Sequence, residues 1–202
     1  VAGKGYPELM VGRNYLVDDY QPIGMPRVYY LTNPPQPRSF VRGWLALSNK
    51  LVIAVVDSSF ADDFEAGLLA NIYSIEVVEQ FYRMILASAQ QYPMIDFVLK
   101  PKNWALTTHP AFERVIRECG KLSNIYFIEE SSPIDTYSLA AAADMVIGKA
   151  TSLLDECVCA GKYVVVYDDD GYMKASNHVL NKLPVVEHTV GGAWAQIDRM
   201  IN

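Results

Sequence analysis

In this 202-residue chain, serines, lysines and carboxylates recur just after short apolar runs. Five such turns can be read: Asp57-Ser58-Ser59, Lys100-Pro101-Lys102-Asn103, Glu129-Glu130-Ser131-Ser132, Gly148-Lys149-Ala150-Thr151-Ser152 and Asp168-Asp169-Asp170. Four of the five carry hydroxyls or lysines, the groups that hold an anion. In the fourth, Gly148 frees the chain as it leaves the run, and Thr151-Ser152 opens a helical segment. A helix N-terminus presents unpaired N–H groups and about half a positive charge, so a phosphate binds there readily. The same turn also reads as capping alone, with Ser152 as N-cap and Asp155 completing a near capping box. Glu156, one turn beyond Ser152, either offers its carboxylate to ribose or sugar hydroxyls or is simply solvated. Lys100 and Lys102 flank Pro101 as a stiff pair, suited to anion contact or to an ordinary charged surface. Ser58 and Ser59 supply hydroxyls or amides, or only turn chemistry.

Positioning these turns requires strands and helices in alternation, which the pattern from Asn49 onward supplies. Leu51–Val56 is a continuous apolar run, as expected of a strand covered on both faces. A helical pattern follows from about Ala61 to Gln91, then strands at Asp96–Lys100 and Asn124–Glu129 separated by a helix from Pro110 to Gly120. A helix from Asp135 to Ala143, a strand at Asp144–Gly148, a helix from Ser152 to Ala160 and a strand at Tyr163–Tyr167 continue the series. An amphipathic helix from about Gly192 to Ile201 closes it. Apolar strands alternating with helices imply right-handed βαβ units, hence a Rossmann-like three-layer α/β sandwich with a mainly parallel sheet. Residues 1–48 differ. They are rich in Pro, Gly and Tyr and read as an extended arm with one or two short strands, such as Pro26 to Leu31. Two parts are therefore expected: the arm over 1–48 and the Rossmann-like domain over 49–202.

Composition removes several classes. Hydrophobic residues make up 51% and charged residues 20%, the balance of a chain with a substantial core rather than a disordered one. No uncharged apolar run approaches the roughly 18 residues that span a bilayer. Seventeen basic against twenty-three acidic residues give a net charge of −6, which argues against nucleic-acid binding but leaves a small anionic ligand open. GxGxxG and GxxxxGK[ST] are both absent, disfavouring a dinucleotide cofactor and a P-loop, and no GxSxG elbow occurs. His109, His178 and His188 are scattered, so no metal site is assigned. The Asp168–Asp170 run reads as a solvated loop or a divalent-cation site. Cys157 and Cys159 read as buried reduced thiols, consistent with a cytoplasmic location. The chain opens at Val1, as expected of a piece of a longer protein.

The stretch PIDTYSLAAAADMVIGKATSLLDECVCAGKYVVVYDD, Pro133 to Asp169, resembles the donor-binding half of GT-B glycosyltransferases. It is most similar to the group with surface-polysaccharide and CDP-glycerol glycerophosphotransferase-like enzymes. The shared pattern is Ala142-Ala143-Asp144, Thr151-Ser152, Asp155-Glu156 and Ala160-Gly161-Lys162. DFVLKPKN resembles a strand that often reads K-P-H-P in relatives; here Lys102-Asn103 replaces His-Pro, so no histidine role carries over. The resemblance implies that the phosphates of an activated donor sit at Thr151-Ser152. It places the base and ribose near Ile128–Ser132, with Glu129, Ser131 and Ser132, and near Glu156. It implies a nucleotide-activated sugar or polyol as substrate, no cofactor, and an acceptor glycan brought by a separate N-terminal Rossmann domain, of which the arm over 1–48 is either a remnant or only a linker. That domain frequently supplies the catalytic base, so none is named. Peripheral association with the inner face of the membrane is expected only through the full-length protein. Two further readings stay open: a sugar-nucleotide epimerase on the same architecture and a non-catalytic α/β binding module.

Overall fold

The computed structural model describes residues 25–47, 49, 51–58, 60–61, 73–102, 109–129, 131–175 and 178–202. In chain order the elements are helices α1 (Val28–Thr32) and α2 (Arg38–Trp44), strands β1 (Leu51–Val56), β2 (Phe60–Ala61) and β3 (Tyr73–Ser74), and helix α3 (Ile75–Gln91). Then come β4 (Ile95–Lys100), α4 (Pro110–Cys119), β5 (Ile125–Phe127), α5 (Thr136–Ala142), β6 (Met145–Gly148), α6 (Ser152–Cys159) and β7 (Tyr163–Tyr167). The chain closes with α7 (Tyr172–Ala175), a 3-10 helix (Val179–Lys182), β8 (Val186–Glu187) and α8 (Val190–Ile201). Among the described residues no helix is long and apolar enough to cross a membrane.

Six strands form one parallel sheet in the order β5-β4-β1-β6-β7-β8, while β2 and β3 pair separately. Counted along the chain within that sheet, the order is 3-2-1-4-5-6, reversing direction between β1 and β6. β1 is central because its sequence suits no other place: five of its six apolar side chains are buried. It pairs with β4, Ile53 opposite Phe97, and with β6, Ile53 opposite Met145.

Right-handed crossovers place helices on both faces. On one, α3 buries Val78, Phe81, Tyr82 and Ile85 at helical spacing and packs on α4 and β4. Helix α8 joins it, with Trp194 Nε1–H donating to Ser88 Oγ at 2.9 Å. On the other face lie α5 and α6, covered in turn by α1 and α2. At the amino ends of the strands, Asp144 Oδ2 accepts from the Val52 amide at 2.9 Å. Nearby, Lys162 Nζ donates to the Ala141 and Ala143 carbonyls at 2.6 and 3.0 Å, closing the end of α5. Asp144 and Lys162 of the shared pattern thus brace the sheet.

The fold class read from the sequence stands, with local corrections. Pro26 to Leu31 is not a strand: α1 starts two residues after Pro26, where a missing N–H costs a helix nothing. The described part of the arm packs on α5 and α6, with Leu31 and Val41 buried and Arg38 Nη2 2.9 Å from Asp144 Oδ1. The helix expected from Ala61 begins only at Ile75, capped by Ser74; Tyr73–Ser74 is a strand, and 62–72 lie outside the described residues. Cys119 and Cys157 are buried free thiols, but Cys159 is exposed. The short elements α7, the 3-10 helix and β8 carry too few residues to show a period.

Candidate functional site

A cleft of about 300 Å³ opens at the carboxyl ends of β1 and β4, beside the reversal of strand order. That is where open parallel sheets bind ligands, because the flanking loops part there. The end of β1 contributes Val56 and Asp57, and the turn after β4 contributes Lys100, Pro101 and Lys102. Helix α5 brings Thr136 and Tyr137, helix α6 brings Thr151, Ser152 and Leu153, and the arm brings Arg27.

The α6 rim is set by a close approach. A Cβ built on Gly148 would overlap the Val56 carbonyl oxygen and lie 2.9 Å from Val56 Cγ2, so glycine alone fits between β1 and the turn. The N-cap is Thr151, in extended backbone, rather than Ser152. The Thr151 side chain makes no capping bond, and although the Leu154 amide donates to the Thr151 carbonyl at 3.0 Å, the Ser152 and Leu153 amides are left without a side-chain cap. Asp155 completes no capping box; its Oδ2 lies 3.7 Å from His178 Nε2. The Ala150 amide, one residue earlier, donates to Tyr73 Oη at 3.2 Å and is unavailable to a ligand.

Opposite the rim are the two lysines. Lys100 is half-buried, and burial lowers its ammonium pKa, opposed by the nearby Asp135. Lys102 is exposed, and its main-chain N–H donates to Asp57 Oδ1 at 2.6 Å. Asp57 is 3% exposed, and burial raises its carboxyl to about 6 despite that bond and one from Tyr82 Oη at 2.9 Å. Arg27, Lys100 and Lys102 therefore give the cleft a cationic lining that the net charge of −6 does not suggest.

The structure brings together Lys100, Lys102, Thr151 and Ser152. Of the other candidates, none among the described residues lines this cleft. Ser58 is buried beneath it, and Ser59 lies outside the described residues. Glu129, Ser131 and Ser132 line a second groove of about 520 Å³ along the β5 edge, walled by Trp44 and Leu45. Glu156 is neither solvated nor in the cleft: it is 3% exposed, and its Oε2 accepts from Tyr137 Oη at 2.8 Å. Tyr137 is the surface that Glu156 presents. Sequence reasoning named Asp57 only as part of its turn and missed Arg27, Thr136 and Tyr137 as cleft residues. Asp57 and Thr136 stand at a strand end and a helix start, a signal that was readable. Arg27 carries none, since only the folded arm delivers it.

The Asp168–Asp170 turn is only partly solvated, and two of its carboxylates are taken up by an ion pair. Asp168 is buried, and Asp169 and Asp170 pair with the fully buried ammonium of Lys149, the second at 3.1 Å. Among the described residues no group of three or more His, Cys, Asp or Glu is placed to hold a metal ion.

No family model and no curated protein matches the chain. Solved structures do. The wall teichoic acid polymerase TagF aligns over 96% of this chain and 45% of its own, at 14% identity and TM-score 0.59. S. aureus MnaA, solved with UDP, aligns over 96% and 48% at 12% identity and TM-score 0.56. UDP-GlcNAc 2-epimerase from Neisseria meningitidis, bound to UDP-GlcNAc, aligns over 86% and 42% at 14% identity and TM-score 0.53. The fold is that of a GT-B half. The chain spans less than half the length of each of these structures, so the likeness places one GT-B half and no more.

Proposed function

We infer that this GT-B half binds the nucleotide-activated donor of a glycosyltransferase acting on a surface polysaccharide or related acceptor. The observation that carries the reading is the convergence of an uncapped helix N-terminus with Lys100, Lys102 and Arg27 on one cleft at the strand-order reversal. A diphosphate seated there meets the amides and hydroxyls of Thr151-Ser152 on one side and three cations on the others. Charge developing on the departing phosphate then falls on groups already oriented, so catalysis is positioning plus electrostatics. The donor is a substrate and the scheme needs no cofactor. The acceptor and catalytic base belong to a second half. The structural neighbours solved with UDP and UDP-GlcNAc support the ligand class.

A thermal-shift screen against UDP, CDP, CMP, GDP and TDP tests the reading, and at least one is expected to stabilise the chain. Hydrogen bonds to a charged group contribute about 1.5 kcal/mol or more each. Losing two of them in T151A/S152A should weaken that ligand roughly 100-fold, with the melting temperature of the free protein little changed. Unchanged affinity by calorimetry would remove Thr151-Ser152 from the site; no response to any nucleotide would leave a non-catalytic α/β module. In the full-length protein, conversion of a nucleotide sugar without acceptor would instead identify an epimerase.

A further inference from the structure

Asp57 stands directly after the central strand, underneath the cleft, and both its oxygens are engaged. Tyr82 Oη–H donates to Oδ2 at 2.9 Å, and the Lys102 main-chain N–H donates to Oδ1 at 2.6 Å. Tyr82 is itself immobilised: it is 1% exposed and edge-on to Phe81 and Phe112, with ring centroids 5.6 and 6.3 Å away. Rigid packing thus fixes the hydroxyl, the hydroxyl fixes the carboxylate, and the carboxylate fixes the backbone of the turn carrying Lys100 and Lys102. Pro101 within that turn has no N–H of its own to anchor it.

A buried carboxylate is a costly way to fill space, since desolvation disfavours its charged form. An apolar side chain would avoid that cost but would leave both the buried Tyr82 hydroxyl and the Lys102 amide without an acceptor. We propose that Asp57 is a positioning residue, tethering the Lys102 backbone so that the Lys100–Lys102 turn forms one wall of the anion cleft. The proposal rests on the donor-binding reading above and goes beyond it: the cleft's grip on an anion is set by a buried carboxylate acting through the turn that it holds.

The tether has a definite response to acid. Its carboxyl titrates at about 6 in the fold, against 3.8 for an unburied aspartate. At pH 7.5 the bond to the Lys102 amide is charge-assisted. At pH 5 the carboxyl is protonated, Oδ2–H turns toward Tyr82 Oη, and the Lys102 amide keeps a neutral acceptor that holds it more weakly. The groups facing Asp57 from other elements are Lys102 after β4 and Tyr82 on α3, with Cys119 of α4 acting on Tyr82. From the α6 side the cleft presents the neutral Thr151 and Ser152, and Lys149 beyond β6 is committed to Asp169 and Asp170.

Calorimetric titration with UDP-N-acetylglucosamine at pH 7.5 and 5.0 tests the proposal. Its phosphates are diesters and lack the second ionisation near pH 6 that a terminal phosphate has. Wild-type affinity is expected to fall several-fold on acidification. Asp57→Asn keeps an oxygen for Lys102 and an N–H for Tyr82, so it should match the acid-form affinity at both pH values. Asp57→Ala should lose at least a further tenfold. Asp57's own contribution to stability moves the other way: its folded carboxyl takes up a proton near pH 6 that the unfolded chain takes up only near 3.8, so this group adds stability on acidification. A melting curve of the free protein at each pH separates weaker binding from loss of fold. Amide exchange at Lys102 reads the tether without ligand, and Asp57→Ala should accelerate it at least tenfold, with Asp57→Asn in between. Unchanged exchange in Asp57→Ala overturns the proposal, as does binding of wild type and Asp57→Asn with the same pH dependence. If wild type binds no nucleotide sugar, the donor reading falls and the exchange rates alone decide the tether.

Discussion

Gly148→Ala should destabilise the chain by about 3 kcal/mol, at the upper end for overpacking a core, because the atom in the way cannot yield. The new methyl would be built onto the Val56 carbonyl oxygen, with Val56 Cγ2 at 2.9 Å and Leu154 Cδ1 at 3.3 Å. A side chain can swing aside; this carbonyl belongs to the last residue of the central strand, directly paired with Gly148. Relief would have to come from parting β1 and β6, where the sheet reverses order and the cleft opens. Gly161→Ala is the matched control. Its φ of +73° strains an alanine, but no atom lies within 4 Å of the added carbon, so the cost should be about 1 kcal/mol. Urea unfolding of the two variants should show the larger midpoint shift for Gly148→Ala. Equal shifts would mean that the β1–β6 approach is not fixed by glycine.

Continuous apolar runs made the sheet legible. LVIAVV, DFVLK, DMVIG and YVVVY have no polar alternation, which suits only strands buried on both faces, and each is a strand of the sheet within a residue or so. Where the chain leaves those strands was equally legible, and with it Lys100, Lys102, Thr151 and Ser152. What composition cannot convey is which turns meet. Ser131 and Ser132 follow a strand just as Thr151 does, but β5 is the sheet's edge, so they face a different groove. Glu156 has the spacing of a surface residue and is buried, because Tyr137 from another helix closes over it. Arg27 reaches the cleft only because α1 docks on α5 and α6. Each is a long-range consequence of packing, to which local periodicity is blind.

Lys149 is the extreme case: a lysine in a polar turn, readable only as a surface charge or anion ligand, yet its side chain has no exposure at all. Its ammonium is paired with Asp169 and Asp170 and lies over the Tyr73 and Tyr167 rings, 5.1 and 5.6 Å from their centroids. Removing one partner of a buried ion pair typically costs about 3–5 kcal/mol, because the remaining charge loses its compensation. The two carboxylates retain 16% and 26% exposure, so water recovers part of that, and Lys149→Ala should cost about 3 kcal/mol, cavity included. Lys149→Met refills the volume without the charge and should cost less. Adding Asp169→Asn and Asp170→Asn to it should return part of the loss, since a neutral set replacing a buried ion pair is often tolerated. A double-mutant cycle by urea unfolding measures that coupling. The cleft should feel the change as well. Tyr73, beneath the ammonium, is the residue whose hydroxyl holds the Ala150 amide, and Ala150 leads directly into Thr151-Ser152. If Lys149→Met weakens nucleotide binding while Asp169→Asn restores stability but not affinity, Lys149 orients the α6 rim as well as bracing the sheet. If affinity tracks stability through the whole series, its role is confined to packing.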